Sequence, residues 1–465
     1  MKNYTFNHRQ VWQLALPMII ANISTPLLGL VDTAVMGHLD NANFLAAVAI
    51  AGLIFNFLFW GFGFLRMGTS GLCAQAFGAN DSLELKAILV RAIFLAICIS
   101  SLILLCQQPI ASFSFYLINS HENIEFLAQQ YFYIRIWSAP ATLCQYVILG
   151  WFLGRQNTKV PLLIVITTNL CNIGLDLLFV THYNMNTEGV ALASVLAEYI
   201  GLVLGVILLI RNLPHGSRPL SLSTLLQLDK VRVMLSMNSH LFIRTLCLIF
   251  TFSFFTVQGE KFGSAILAAN AVLMNFQTFM AYAQDGLAHA AEALIGRALG
   301  AKNKDLYLRT LRTTGLWSLL IALLFTLLYS YAGKSIIDSL TRLTEVRSPA
   351  YEYLPWLIAL PLISFVSFLL DGVFIGATLS RQMRDGILLS LFMIFLPAWY
   401  YTQGLGNHGL WLALTLFMLF RSLIMVGYYL YYKRSIFLAF HYPDDPTSIF
   451  QKRPEPNLNL PLKPS

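Results

Sequence analysis

The sequence predicts an all-α polytopic membrane protein with twelve transmembrane helices in two six-helix lobes. Composition, a series of long apolar segments and an internal repeat predict this class. Of the 465 residues, 57% are hydrophobic and 11% are charged, whereas soluble domains average roughly 25% charged residues. The mean hydropathy is +0.66. The chain therefore carries too little charge for a soluble protein of this size.

Twelve apolar segments support the helix count. Each is long enough to cross a hydrocarbon core of ~30 Å at ~1.5 Å per residue. We predict these spans at 11–37, 44–72, 86–107, 127–153, 160–181, 189–211, 232–257, 265–293, 307–332, 349–377, 385–402 and 409–432. The six cysteines are isolated and lie within or at the ends of these spans, so no disulfide framework or zinc spacing is predicted.

The net charge of +8 follows the topology of the chain. Most lysines and arginines lie at the termini and in the even-to-odd connections between spans. The opposite loops hold only Lys261, Lys334, Arg342 and Arg347. Because basic residues accumulate in cytoplasmic loops, both termini are predicted to be cytoplasmic. The excess positive charge therefore does not indicate a nucleic-acid partner.

An internal repeat at a shift of 222 residues divides the chain. Leu45-Ala46-Ala47 returns as Leu267-Ala268-Ala269, and the pattern of Ala76-x-Gly78-Ala79 and of Gly150-x-Phe152-x-Gly154 also returns in the second half. Six spans per repeat put both halves in the same orientation, which is a parallel repeat. We predict a first lobe at 1–211, a cytoplasmic linker at 212–230, a second lobe at 231–432 and a disordered cytoplasmic tail at 433–465.

Asp32 is an acid within an otherwise apolar first span. A carboxylate at that depth costs at least a few kcal/mol unless it is paired, protonated or hydrated, and it therefore marks an ion or substrate path. The equivalent position in the second half is Phe254. The acid thus belongs to the first half alone.

The fifth span carries a second acid with amide neighbours. Asn169, Asn172 and Asp176 share one helix face by their spacing. Rises of ~1.5 Å per residue place Asp32, Asp176 and Ser194 of the sixth span in the outer half of the membrane. Their oxygens suit Na⁺, with Asp32, Asn172 and Asp176 as ligands, or a proton shared by two carboxylates. A structural polar cluster without transport function is the alternative.

Prolines and second-half charges complete the candidate set. Pro17 removes a backbone hydrogen bond and favours a bend in the first helix, although prolines also tilt helices without any gating role. In the second half, Arg244 is the expected partner of Asp285 or Asp371, as an ion pair or gate. A second cation site is the alternative.

Three further arginines have weaker interpretations. We expect Arg66 to extend toward the membrane surface at the inner end of the second span. Arg135 and Arg421 have no predicted partner.

Four segments resemble the multidrug and toxic compound extrusion (MATE) family, in its DinF-like branch. They are LALPMIIANISTPLLGLVDTAVMGHL, LRMGTSGLCAQAFGA, NLCNIGLDLLFV and LLDGVFIGATLSRQMR. The resemblance implies two six-helix lobes around a V-shaped cavity and drug export driven by inward H⁺ or Na⁺. It also implies a first-lobe site at Asp32, Asn172, Asp176 and Ser194, with Pro17 bending the first helix after protonation. The family's other main branch concentrates its cation site in the second lobe, where only Asp371 corresponds.

The predicted function is secondary active antiport in the inner membrane of a bacterium. Small-molecule drugs or toxic organic cations and membrane lipids are the expected partners, and the transporter is expected to act as a monomer. No cofactor is predicted beyond the coupling ion, H⁺ or Na⁺. The alternatives are a flippase for lipid-linked precursors and an intramembrane enzyme. No zinc-type His/Glu pairing or matched Ser/His couple favours the enzyme.

Overall fold

The computed structural model describes residues 8–36, 42–118, 121–213 and 221–439, and these residues are helical almost throughout with no strand among them. The helices of the first half are α1 His8–Met36, α2 Ala42–Gly61, α3 Phe64–Gly78, α4 Ser82–Leu105, α5 Gln107–Ile118, α6 Glu122–Arg135, α7 Ala139–Gly154, α8 Lys159–Leu177 and α9 Thr187–Asn212. Those of the second half are α10 Leu222–Leu225, α11 Leu228–Glu260, α12 Ser264–Gly300, α13 Lys304–Leu340, α14 Thr344–Gly376, α15 Ser380–Leu389, α16 Leu396–Tyr401 and α17 Asn407–Ala439.

These helices account for the predicted spans. Within the described ranges, eleven helical segments are long and apolar enough to cross a membrane, and α1, with 29 residues, matches the first predicted span. Some spans contain two consecutive helices, such as α6 and α7, which a 3₁₀ turn at Ile136–Ser138 connects. The last span continues to Ala439, beyond its predicted end at 432, so residues 433–439 are helical and the prediction of a disordered tail from 433 is wrong for them. Part of the predicted linker, 214–220, and the predicted tail from 440 onward lie outside the described residues.

The turns that follow α3 and α12 have the same structure at a shift of 222 residues. Asp81 and Asn303 each cap the next helix, and each side-chain oxygen accepts from the backbone N–H three residues later at 2.9 Å. The preceding residues adopt positive φ angles, 56° at Asn80 and 50° at Lys302. Because capping and chain reversal recur at equivalent positions, the repeat in the sequence is also a repeat in the backbone.

Helices α3 and α12 cross in direct backbone contact. A Cβ added to Gly78 would lie 2.2 Å from the carbonyl oxygen of Arg297, and one added to Gly300 would lie 1.9 Å from that of Gln75. Gln75 and Arg297 are themselves 222 residues apart, so the two contacts are the same contact seen from each half. The halves therefore meet around a pseudo-twofold axis, and only glycine permits this approach.

The two halves are joined at one end of the bundle. Gln75 Nε2 donates to the Gly376 carbonyl at 2.9 Å, and Arg297 Nη1 donates to Gln156 Oε1 at 2.8 Å. In the part of the chain that the structure describes, the side-chain hydrogen bonds between the halves all lie toward this end. The predicted cytoplasmic loops emerge here. The bundle is consequently closed at the end predicted to face the cytoplasm.

Candidate functional site

Three of the predicted site residues meet between α8 and α9. Asn172 and Asp176 lie one turn apart on α8 and are 2% and 0% exposed. Asn172 Nδ2 lies 3.2 Å from Ser194 Oγ on α9. With its amide turned over, Asn172 donates to Asp176 Oδ2 at 3.3 Å and accepts from the backbone N–H and the hydroxyl of Ser194 at 3.1 and 3.2 Å. That orientation gives both amide atoms a complementary partner, so Asn172 connects the acid to the hydroxyl.

Asp32 belongs to α1, but its side chain lies outside the described part of the structure. The backbone still places it in depth. Asn169 Nδ2 on α8 donates to Ser24 Oγ on α1 at 3.0 Å, and the two helices run in the same direction. Asp32 is eight residues beyond Ser24 and Asp176 seven beyond Asn169, rises of ~12 and ~10.5 Å. The two acidic positions therefore lie at nearly the same level on adjacent helices.

Helix α1 is assigned as one continuous helix through Pro17. Proline has no N–H, so the carbonyl of Gln13 loses its partner within the helix. The hydroxyl of Thr158, a buried residue just before α8, donates to that carbonyl at 3.1 Å. The proline defect is thus compensated by the loop between α7 and α8. A protonation-dependent bend at Pro17 stays a prediction.

Sequence reasoning missed a further acid in the first half. Glu198 lies one turn beyond Ser194 on α9, and Gln145 Nε2 of α7 donates to Glu198 Oε2 and to its carbonyl oxygen, both at 2.7 Å. The surrounding span from Gly189 is apolar or small apart from Glu198 and the residue after it. Glu198 thus carries the same sequence signal as Asp32, an acid within an apolar span.

In the second half, a carboxylate binds two arginines. Asp371 of α14 accepts through Oδ2 from Arg244 of α11 and from Arg421 of α17, and all three residues are less than a tenth exposed. Arg421 had no predicted partner. Asp285 of α12 has no hydrogen bond or ion pair within the described ranges, although Arg66 and both of these arginines act on it electrostatically. The structure therefore pairs Arg244 with Asp371 and not with Asp285.

Arg66 lies between the two halves. Contrary to the prediction, it does not extend to the membrane surface. Its Nη1 atom is 2.8 Å from His289 Nε2 on α12. His289 Nδ1 lies 3.4 Å from Glu292 Oε2, and Ser70 Oγ of α3 donates to Glu292 Oε1. The expectation was wrong because Arg66 Nη1 contacts the His289 imidazole of the opposite half inside the protein.

The family model MatE matches residues 17–178 and 241–384. The chain belongs to the MatE family. The two matched segments fall in the two halves of the chain, in agreement with the internal repeat. MatE proteins are transporters and not enzymes, so the protein is a multi-pass membrane transporter.

Named relatives agree with the MatE assignment. The chain is 41% identical to DNA damage-inducible protein F of Escherichia coli, with 91% of this chain and 92% of that protein covered. It is 23% identical to the probable multidrug resistance protein NorM of Bacillus cereus, over 90% of this chain and 94% of the relative. Similarity along nearly the whole length includes both halves.

Solved structures show the same fold. The MATE transporter VcmN of Vibrio cholerae in its bent form superimposes with a TM-score of 0.80 at 21% identity, covering 93% of this chain and 98% of that one. A MOP superfamily transporter from Pyrococcus furiosus gives a TM-score of 0.82 at 16% identity, covering 94% and 97%. The twelve-helix fold predicted for this MatE chain is confirmed.

Proposed function

We propose that this MatE transporter exports amphipathic or cationic organic compounds in exchange for H⁺ or Na⁺. The observation that carries the proposal is the buried connection from Asp176 through Asn172 to Ser194. A buried carboxylate is stable only when it is paired, protonated or bound to a cation. A site that changes its charge state by binding a proton or Na⁺ can therefore drive exchange.

Coupling requires that the ion and the drug exclude each other. Asp32 lies at the level of Asp176, and two carboxylates in a low-dielectric site favour a shared proton or a bound cation over two bare charges. A cationic drug that approaches this site displaces the ion, and the returning ion displaces the drug. The name of the Bacillus cereus relative, a probable multidrug resistance protein, supports organic drugs as substrates. We place the protein in the bacterial inner membrane, as a monomer with cytoplasmic termini.

Proteoliposomes test the coupling ion. Purified protein is reconstituted, and uptake of a fluorescent cationic dye is recorded under an imposed pH gradient or an imposed Na⁺ gradient of equal size. We expect one gradient to drive dye movement against its concentration and the other to have little effect. Dye movement that responds to neither gradient contradicts antiport.

Substitutions test the position of the site. Asp32→Asn and Asp176→Asn should each reduce gradient-driven export at least tenfold, because asparagine neither titrates nor supplies a formal negative charge. Asp229→Asn is the matched control, since Asp229 is an exposed acid in the first turn of α11. Full export by both site variants at wild-type protein levels would place coupling elsewhere.

A flippase for lipid-linked precursors is the second candidate. Arg244 and Arg421 both bind Asp371, so this cluster of three carries one excess positive charge, and arginine favours a phosphate-bearing substrate. Proteoliposomes with a fluorescent lipid-linked sugar compare the two functions directly. Transport of the lipid without transport of the dye would favour the flippase.

A further inference from the structure

Ser70 and Glu292 form a contact between equivalent positions of the two halves. They are 222 residues apart, which is the period of the repeat. Ser70 Oγ donates to Glu292 Oε1, and the Met67 carbonyl oxygen in its own helix, at 3.0 Å, is the competing acceptor for the same hydroxyl proton. Two equivalent positions can touch only near the axis that relates the halves. The pair therefore lies at the centre of the interface between α3 and α12, where separation of the two halves at this end must break it.

Two more residues extend this pair into a chain of four across the interface. Arg66 Nη1 lies nearer to His289 Nε2 than to Nδ1, at 2.8 against 3.3 Å. Because one Nη1 atom lies within 3.3 Å of both ring nitrogens, it faces the imidazole ring, and Nδ1 of that ring lies 3.4 Å from Glu292 Oε2. Arg66 and Ser70 come from α3, whereas His289 and Glu292 come from α12. Each half thus supplies donors or acceptors that the other half satisfies.

Three members of this chain are shielded from water, whereas Arg66 is partly exposed. Ser70 and Glu292 are 0% exposed, and His289 is 6% exposed. On the side of α14, a Cβ added to Gly376 would lie 2.5 Å from the Glu292 carbonyl oxygen. A polar group buried this tightly is costly when its partner leaves. Glu292 is therefore stable in the closed interface only while Ser70 and His289 remain in place.

We propose that Ser70, Glu292, His289 and Arg66 form the latch that holds the predicted cytoplasmic end closed in the transport cycle. Glu292 is a positioning residue: it holds the two halves together and needs no contact with substrate. The proposal rests on the alternating-access cycle of the proposed function. It does not depend on which ion or compound is carried.

A distance measurement across the closed end tests the latch. Ala79 and Ala301 are exposed and occupy equivalent positions, directly after the ends of α3 and α12. They are close together in the closed form, since a Cβ added to Gly300 would lie 3.0 Å from the Ala79 nitrogen. Cysteines at these two positions, in a background lacking the native cysteines, carry spin labels in lipid nanodiscs. Dipolar broadening in continuous-wave spectra reports the closed molecules and pulsed electron paramagnetic resonance reports the separated ones, and together they give the ratio of separated to closed molecules. We expect Glu292→Ala and Ser70→Ala to raise this ratio about tenfold.

Two further variants make the test specific. Ser100→Ala is the matched control, because the buried Ser100 hydroxyl donates to Ile97 O within its own helix; it should leave the ratio unchanged. A double variant with Ser70→Glu and Glu292→Ser, called the exchange variant, restores a serine–glutamate pair across the axis. Its ratio of separated to closed molecules should be lower than that of Glu292→Ala or Ser70→Ala. The exchange and Ser70→Ala also serve if Glu292→Ala does not fold.

Unchanged distances in Glu292→Ala and Ser70→Ala would overturn the latch, as would an exchange variant as separated as the single ones. These outcomes are independent of the transport assays. If the wild-type protein exports no compound, the proposed function is contradicted. The distance distributions still show whether the latch holds the two halves together.

Discussion

Replacing Asp371 with asparagine removes the negative charge that two buried arginines share. Asparagine has nearly the same volume, so the change leaves packing intact and isolates electrostatics. Arg244 and Arg421 are 7% and 3% exposed, so both charges are largely removed from water. Removing one partner of a buried ion pair costs about 3–5 kcal/mol, because the remaining charge stays desolvated. We expect Asp371→Asn to lose stability in this range.

Thermal unfolding in detergent measures the loss. An unfolding entropy of ~2.1 cal/mol/K per residue, applied to 465 residues, converts 3–5 kcal/mol into a fall of roughly 3–5 °C in the apparent melting temperature. Asp338→Asn is the matched control. Asp338 pairs with Arg347 at 3.2 Å with side chains 44% and 29% exposed, and exposed pairs contribute about 0–1 kcal/mol.

A compensating variant decides whether charge is the cause. Arg421→Met in the Asp371→Asn background removes one of the two uncompensated cations, so the double variant should be more stable than Asp371→Asn alone. A melting temperature for Asp371→Asn equal to that of the wild type would refute the reasoning. A double variant that unfolds below Asp371→Asn would refute it equally.

Two local predictions concern the backbone contacts of α1 and of the repeat. Thr158→Val should cost ~1 kcal/mol by leaving the Gln13 carbonyl without a donor. Adding Pro17→Ala should recover that loss, because alanine restores the N–H within the helix; a melting temperature unaffected by Thr158→Val contradicts this account. Gly372→Ala should cost ~1–3 kcal/mol, since the added Cβ would lie 2.1 Å from the carbonyl oxygen of Ala288. Gly52→Ala, with nothing within 4 Å of the added atom, should be neutral or stabilising, and equal melting temperatures of the two glycine variants would disprove the crowding argument.

Much of the fold could be predicted from sequence because a bilayer allows few alternatives. Apolar segments of membrane-spanning length must become helices that satisfy their own backbone hydrogen bonds, and the observed helices follow the predicted spans. The repeat was visible because its glycines are required wherever α3, α7, α12 and α14 approach closely. The grouping of Asn172 with Asp176 followed from helical spacing on one element. Its role in transport stays a prediction.

Contacts between distant segments were harder to predict. Arg244 had two possible acidic partners, and sequence spacing does not choose between residues on different helices. Arg66 appeared to be a surface arginine because its partner, His289, lies 223 residues away. Glu198 was missed although its apolar context carried the same signal as Asp32.

Composition and the 222-residue period by themselves determined a membrane protein of twelve helices in two parallel halves, because hydrophobic length and repetition are local or strictly periodic properties of the chain. Only the tertiary structure decided which charges meet. Asp371 binds Arg244 and Arg421, and Ser70 meets Glu292 on the axis between the halves. The physical reason is that ion pairs and hydrogen bonds depend on separations of about 3 Å, which the packing of helices sets and residue spacing along the chain does not.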